Sequence, residues 1–290
     1  MNLYQLAFQP FADYGFMRRS LAACAAIALG GAPLGVFLVL RRMTLVGDAI
    51  SHAILPGAAI AFMLFGLSLP IMAMGGLVAG LMIAIVAGSL TRFTQLKEDA
   101  SFTGTYLLSL AVGVLIITAR GSAVDLMHVL FGNVLAIDDA SLLLVCAIAS
   151  VSVLALAALY RLLIVECFDA AYLQTVGGKA AWVQQLFLVL VVLNLVAAFQ
   201  ALGTLMALGL MVLPAIAVRF WTESIDAAMA LAAAGSFAAS VVGLLLSYHC
   251  NLPSGPAIVL TAGTFYLVSV FFGRRGSILM HFLPRRHFAN

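Results

Sequence analysis

The stretch Arg41-Arg42-Met43-Thr44-Leu45-Val46-Gly47-Asp48-Ala49-Ile50-Ser51-His52-Ala53-Ile54-Leu55-Pro56-Gly57 places a carboxylate and an imidazole four residues apart. They stand at the head of an apolar run with no further Asp, Glu, Lys or Arg until Arg92. On a helix this spacing puts Asp48 and His52 on one face, about one turn apart. A carboxylate in hydrocarbon costs about 2.5–3.5 kcal/mol on insertion scales, so charge in such a segment points to a bundle interior or a polar path. Two readings follow from the spacing. Either Asp48 hydrogen-bonds His52 inside a packed bundle, or the two side chains together receive a cation.

Composition supports a membrane setting. Of 290 residues, 64% are hydrophobic and 9% charged, with mean hydropathy +1.17, whereas soluble domains carry about 25% charged residues. Intervals 20–40, 49–91, 140–160, 180–218 and 227–273 contain no Asp, Glu, Lys or Arg. At about 20 residues per crossing the longer intervals hold two helices each, and with 100–119 the total is about eight or nine spans. The expected fold is an all-α, polytopic transmembrane bundle forming a single domain over residues 1–290. Residues 1–17 read as an interfacial segment with aromatics at headgroup level, and 273–290 as a basic tail on the inner side.

Arg92, Lys97, Arg161, Lys179, Arg219, Arg274, Arg275, Arg285 and Arg286 flank the spans on one side by parity. The positive-inside rule makes that side cytoplasmic, so the basic residues are topology signals and call for no nucleic acid. Arg18-Arg19 and Arg41-Arg42 bracket the first span, so its own charge does not orient it; counting back from the later loops puts Arg41-Arg42 inside, with the N-terminus outside unless the first segment also crosses. Asp13 and Arg18-Arg19 precede a span too long for a cleavable signal. Cys24, Cys146, Cys167 and Cys250 are scattered, with no Cys-x-x-Cys pair.

Several segments locate further features. Pro56-Gly57 follows His52 by one turn, where the missing amide favours a kink; in 180–218, Gln200-Ala201-Leu202-Gly203 fits the outer turn and Leu213-Pro214 breaks the return helix. Gly75-Gly76, Gly80, Gly104 and Gly113 suit close helix approach. Residues 126–135, too short to span, read as re-entrant or interfacial. Asp138-Asp139 caps the helix that follows. Between Arg161 and Lys179 the chain reads as a polar inner connection. At its centre, 168–178, lies a short amphipathic helix exposing Phe168, Tyr172 and Leu173, with Asp169 at its start and Gly177 at its end. It suits either a helix-in-groove contact with a partner or the membrane surface. His128 lies in the 126–135 segment. His249 and Cys250, adjacent on an outer turn, are half a zinc site at most, and His281 and His287 fall in the tail.

The run Gly47–Gly57 closely resembles the signature of the membrane subunits of bacterial ABC importers for zinc, manganese and iron. Lys97-Glu98-Asp99 with Gly104, Leu130-Phe131-Gly132-Asn133-Val134-Leu135, and Ala207–Ala215 resemble later parts of the same pattern. The resemblance covers about 16–270. It implies a permease subunit in the bacterial inner membrane, acting as a homodimer with a cytoplasmic ATP-binding subunit and a periplasmic metal-binding protein. It further implies that Asp48 and His52 meet the metal. Phe168, Asp169, Tyr172, Leu173 and Gly177 would then belong to a coupling helix docked on the ATPase. The metal is cargo, with no resident cofactor and no catalytic residue. The histidine content leans towards zinc, with manganese next and iron open.

Other classes fit less well. Gly178-Lys179 is the only Gly-Lys pair, lacks a following Ser or Thr, and has Leu173 where the phosphate loop needs Gly, so ATP hydrolysis is expected on a separate polypeptide. An intramembrane enzyme is unsupported, because adjacent Ser51 and His52 do not face each other on a helix. A stand-alone ion-coupled secondary transporter fits the composition equally well and is separated only by the family stretches.

Overall fold

The computed structural model describes residues 8–66, 69–94, 97–119, 137–169 and 180–282. Among them the regular secondary structure is entirely helical. The helices are α1 Gln9–Asp13, α2 Gly15–Leu40, α3 Thr44–Phe65, α4 Leu69–Phe93, α5 Glu98–Ala119, α6 Asp139–Phe168, α7 Ala180–Leu202, α8 Thr204–Val218, α9 Ile225–Cys250, α10 Ser254–Phe272 and α11 Ile278–Phe282. Seven of them (α2, α3, α4, α6, α7, α9 and α10) are long and apolar enough to cross a membrane. With α5, 22 residues, and the shorter apolar α8, the bundle matches the expected eight or nine passages. It is a multi-pass membrane protein.

Side-chain contacts orient the first span, which its own charge left open. Arg19 pairs with Asp139 at 3.1 Å, joining the start of α2 to the start of α6. Tyr14 packs on Tyr248 near the end of α9. At the opposite end, Arg41 pairs with Glu166 near the end of α6. Tyr160 of α6 hydrogen-bonds Asp226 at the start of α9, Gln184 of α7 donates to Glu98 of α5 at 2.5 Å, and Arg275 pairs with Glu223. The start of α2 and the residues following α10 therefore lie at opposite ends of the bundle.

Helices α2 and α7 form the centre, with 72% and 67% of their apolar windows buried, whereas α6 and α10 are peripheral at 22% and 28%. Phe37 meets Phe187 edge-on at 6.3 Å between α2 and α7. Leu34, Leu38, Ile50, Ile54, Leu188 and Leu195 are fully buried around them. In a bilayer this packing is not driven by water, so close backbone approach and satisfied polar groups carry more of it. Asn194 illustrates the second, donating to Ser152 Oγ at 2.6 Å and to the Leu190 carbonyl at 2.9 Å across α7 and α6.

One feature differs from the sequence expectation. The span expected to end near Tyr160 continues to Phe168, making α6 30 residues long. Arg161 and Glu166 are absorbed into it because Glu166 finds a buried cationic partner in Arg41 and need not reach solvent. Neither α6 nor α7 contains an internal Gly or Pro. Pro56 and Pro214 lie inside α3 and α8, within the spans to which the sequence assigned them. The outer corner falls where it was expected, at Gly203, whose φ of 89° only glycine adopts without strain.

The corner between α2 and α3 is tight. Met43 N–H donates to the Leu38 carbonyl at 2.8 Å and Arg42 N–H to that of Val39 at 3.1 Å, with Arg42 left-handed at φ 58°. This is the Schellman closure, normally completed by glycine. It turns the chain directly from the Arg41 ion pair into the helix bearing Asp48 and His52.

Candidate functional site

Asp48 and His52 sit in the first turns of α3, on one face as their spacing requires. His52 Nε2 lies 3.6 Å from Asp48 Oδ1, and the two side chains are 44% and 47% exposed. The two groups are adjacent but beyond hydrogen-bond range, with room left on both. Ser51 between them is buried and donates to the Gly47 carbonyl at 2.9 Å, so its hydroxyl is turned onto its own helix. The sequence reading of a Ser-His pair as unsuited to nucleophilic chemistry agrees with this geometry.

The neighbours of α3 fix the position of the pair. Gly57 abuts the backbone of Gly75 on α4 so closely that a Cβ on either would collide with the other's carbonyl oxygen. On α5, Gly113 packs against the ring of Pro56 with no space for a methyl group. One turn before Pro56, the His52 ring stacks on Tyr106 of α5, with centroids 6.1 Å apart and planes inclined by 26°. Tyr106 had no sequence signal, because an aromatic in an apolar span reads as lipid-facing or core.

Among the described residues no three His, Cys, Asp or Glu side chains gather into one metal-binding group. Asp48 and His52 thus supply one oxygen and one nitrogen donor from a single chain, fewer than the four ligands of a closed zinc site. His249 and Cys250 lie in the last turn of α9, at the end of the bundle where Tyr14 meets Tyr248, while Asp48 lies near the Arg41 end. They are not brought to the pair. His128 and His287 lie outside the described residues.

Of the expected coupling residues, Phe168 is the last residue of α6 and 73% exposed. Asp169 stands at that helix's C-terminal cap, its N–H donating to the Val165 carbonyl at 2.8 Å. Tyr172, Leu173 and Gly177 lie outside the described residues. Sequence reasoning missed what stands just behind Phe168. Arg41 lies 2.7 Å from Glu166, with side chains 9% and 4% exposed, and its guanidinium also sits over the Phe187 ring at 5.2 Å. The signal was present in Glu166 itself, a lone acid between Ile164-Val165 and Cys167-Phe168, but it was read as part of a polar connection.

A many-helix membrane bundle, with an ionisable pair on a helix that carries Pro and Gly within its span, is the architecture of multispan transport proteins. The chain belongs to the ABC 3 transport family, whose model matches residues 13–273. It is 33% identical over 259 residues to the manganese import system permease protein ScaB of Streptococcus parasanguinis, covering 89% of this chain and 91% of that one. It is 31% identical to the manganese transport system membrane protein MntC of Halalkalibacterium halodurans, covering 95% and 93%. The chelated iron transport system membrane protein YfeD of Yersinia pestis is 32% identical, with 93% and 89% covered. Among solved structures, PsaBC from Streptococcus pneumoniae in complex with Fab superposes with a TM-score of 0.80 at 30% identity, covering 94% of this chain and 97% of that one.

Proposed function

We propose that this chain is the permease subunit of an ATP-driven importer in the bacterial inner membrane, and that its cargo is a divalent transition-metal ion, manganese first. The half-exposed Asp48–His52 pair carries this reading. A protein of this apolarity keeps ionisable groups accessible inside a span only where water, a solute or a partner meets them. One carboxylate oxygen and one imidazole nitrogen with open positions suit an ion that keeps waters, as manganese does, and can release it again. The manganese and chelated-iron roles of the named relatives shift the balance from zinc, which the histidine count had favoured.

A second copy of the chain would bring a second Asp48 and His52 to the same path, giving two carboxylates and two imidazoles. That is the reason to expect a homodimer. A separate ATPase would dock at the end bearing Phe168, and an extracytoplasmic binding protein would deliver the ion to the other end. Asp48 and His52 would then hold the ion briefly, between its delivery and its release inward.

The test is cellular accumulation of manganese, zinc and iron, measured by elemental analysis with and without this chain. Loss of manganese accumulation on deletion, restored by the intact gene, is the expected result. Unchanged manganese with a fall in zinc or iron would replace the cargo. Uptake by this chain alone in vesicles, without ATP or an ATPase, would replace the importer with a secondary carrier.

A further inference from the structure

The pair on α3 is not held by α3 alone. The His52 ring lies against Tyr106 of α5, 6.1 Å between centroids and 26° between planes, within the range in which aromatic rings attract. The distance between the two helices at that level is set independently by Gly113 and the Pro56 ring, which touch without a gap. Pro56 follows His52 by one helical turn and Gly113 follows Tyr106 by two, so both contacts fall along one seam between α3 and α5. A rigid stop and a stacked ring thus act together on the orientation of His52.

Ring orientation matters because an imidazole donates to a metal through a lone pair lying in the ring plane. With two rotatable bonds, a half-exposed histidine can aim that lone pair in several directions. The Tyr106 face limits which planes the ring can take while leaving Nε2 beside Asp48 Oδ1 at 3.6 Å. We infer that Tyr106 is a positioning residue for metal transit: its ring holds His52 so that Nε2 and the Asp48 carboxylate address one ion together. This rests on the reading of Asp48 and His52 as the cargo's contacts.

The role requires a flat ring and not a hydroxyl, which distinguishes Tyr106→Phe from Tyr106→Leu. It also has a metal signature. Zinc depends on imidazole more than manganese does, since manganese is content with carboxylate and water. Outer groups that orient a metal-binding histidine by hydrogen bonding to it are typically worth about 10–100-fold in affinity, and a stacked ring is expected at the lower end of that range. Loosening the ring should therefore weaken zinc more than manganese.

The experiment uses the whole transporter in cells that carry each variant in place of the natural chain, normalised to assembled complex, with manganese uptake competed by zinc. For Tyr106→Leu the zinc concentration giving half inhibition should rise by about tenfold, with a smaller change in the manganese concentration for half-maximal uptake. Tyr106→Phe should behave as the natural chain in both. Should Leu prevent assembly, Tyr106→Met, also without a planar ring, provides the same comparison. Unchanged zinc inhibition in Leu or Met, or equal weakening of both metals, overturns the inference. His52→Ala separates it from the reading beneath it. If His52→Ala leaves manganese uptake and zinc inhibition intact, the site itself is wrong. If His52→Ala abolishes uptake while Tyr106→Leu is silent, only the positioning role falls.

Discussion

The Arg41 guanidinium donates to the Glu166 carboxylate at 2.7 Å, across 125 positions of sequence, and both side chains are nearly sealed from the surroundings. Removing one partner of such a pair leaves an uncompensated buried charge, which typically costs about 3–5 kcal/mol, whereas replacing both by apolar groups is often nearly neutral. Glu166→Ala and Arg41→Ala should each lower the melting temperature and yield of purified protein, and Arg41→Met with Glu166→Leu should recover much of the loss. Thermal unfolding in detergent reads this directly. A single variant as stable as the natural chain would show that the pair is not sealed.

Asp48 and His52 are about half exposed and stand 3.6 Å apart, beyond hydrogen-bond range, so their loss should act on transport and hardly on folding. Each alanine variant should abolish manganese accumulation, while stability stays within about 0.5 kcal/mol of the natural chain, as for other substitutions away from packed features. Uptake assays paired with melting curves test this. Full accumulation by the double variant would remove the two residues from the path.

Glycine positions offer a matched comparison. At Gly57 an added methyl would strike the Gly75 carbonyl, whereas at Gly104 it would meet nothing within 4 Å. Gly57→Ala should destabilise by about 1–3 kcal/mol through overpacking. Gly104→Ala should be neutral or stabilising by up to about 1 kcal/mol through helix propensity. Unfolding of the two variants side by side decides the point, and equal effects would contradict the α3–α4 contact.

Asp138 caps α6, its carboxylate accepting from the Ser141 N–H at 3.3 Å. A side-chain hydrogen bond from Ser141, supplemented by this backbone bond, holds its carboxyl below the ordinary carboxylate range. A depressed acid contributes stability that is complete above its unfolded value and is lost as pH falls through the folded one. Asp138→Asn keeps a capping oxygen without the titration, so it should flatten the acid limb of a stability–pH curve. Asp138→Ala should lower the curve at neutral pH as well. Melting temperatures taken from pH 7 down to pH 3 provide the measurement, and superimposable acid limbs for the natural chain and Asp138→Asn would remove the cap from the account.

The fold was legible because an apolar chain in a bilayer has few options: charge-free intervals of known length give the spans, and Gly203 and Asp138-Asp139 mark corners by their own chemistry. Asp48 and His52 were legible because ionisable groups stand out against an uncharged background. Arg41–Glu166 and His52–Tyr106 were not, since each joins residues 125 and 54 positions apart, and nothing local distinguishes a buried acid from one on a loop. The orientation of α2 was locally hidden for the opposite reason. Arginines at both of its ends give the same local signal, and the contacts of Arg19 with Asp139 and of Arg41 with Glu166 on α6 separate them.

Helices α6 and α7, which flank residues 170–179, carry no internal glycine or proline, whereas α2, α3, α4 and α5 all do. At 30 residues α6 is about 45 Å long, some 15 Å more than a hydrocarbon core is thick, so it behaves as a stiff strut reaching past the bilayer. A force applied beside Phe168 has no flexible joint within that strut to dissipate it. Through the pair of Glu166 with Arg41 that strut is fastened to the bend at Arg42, which leads directly into the helix on which Asp48 and His52 ride.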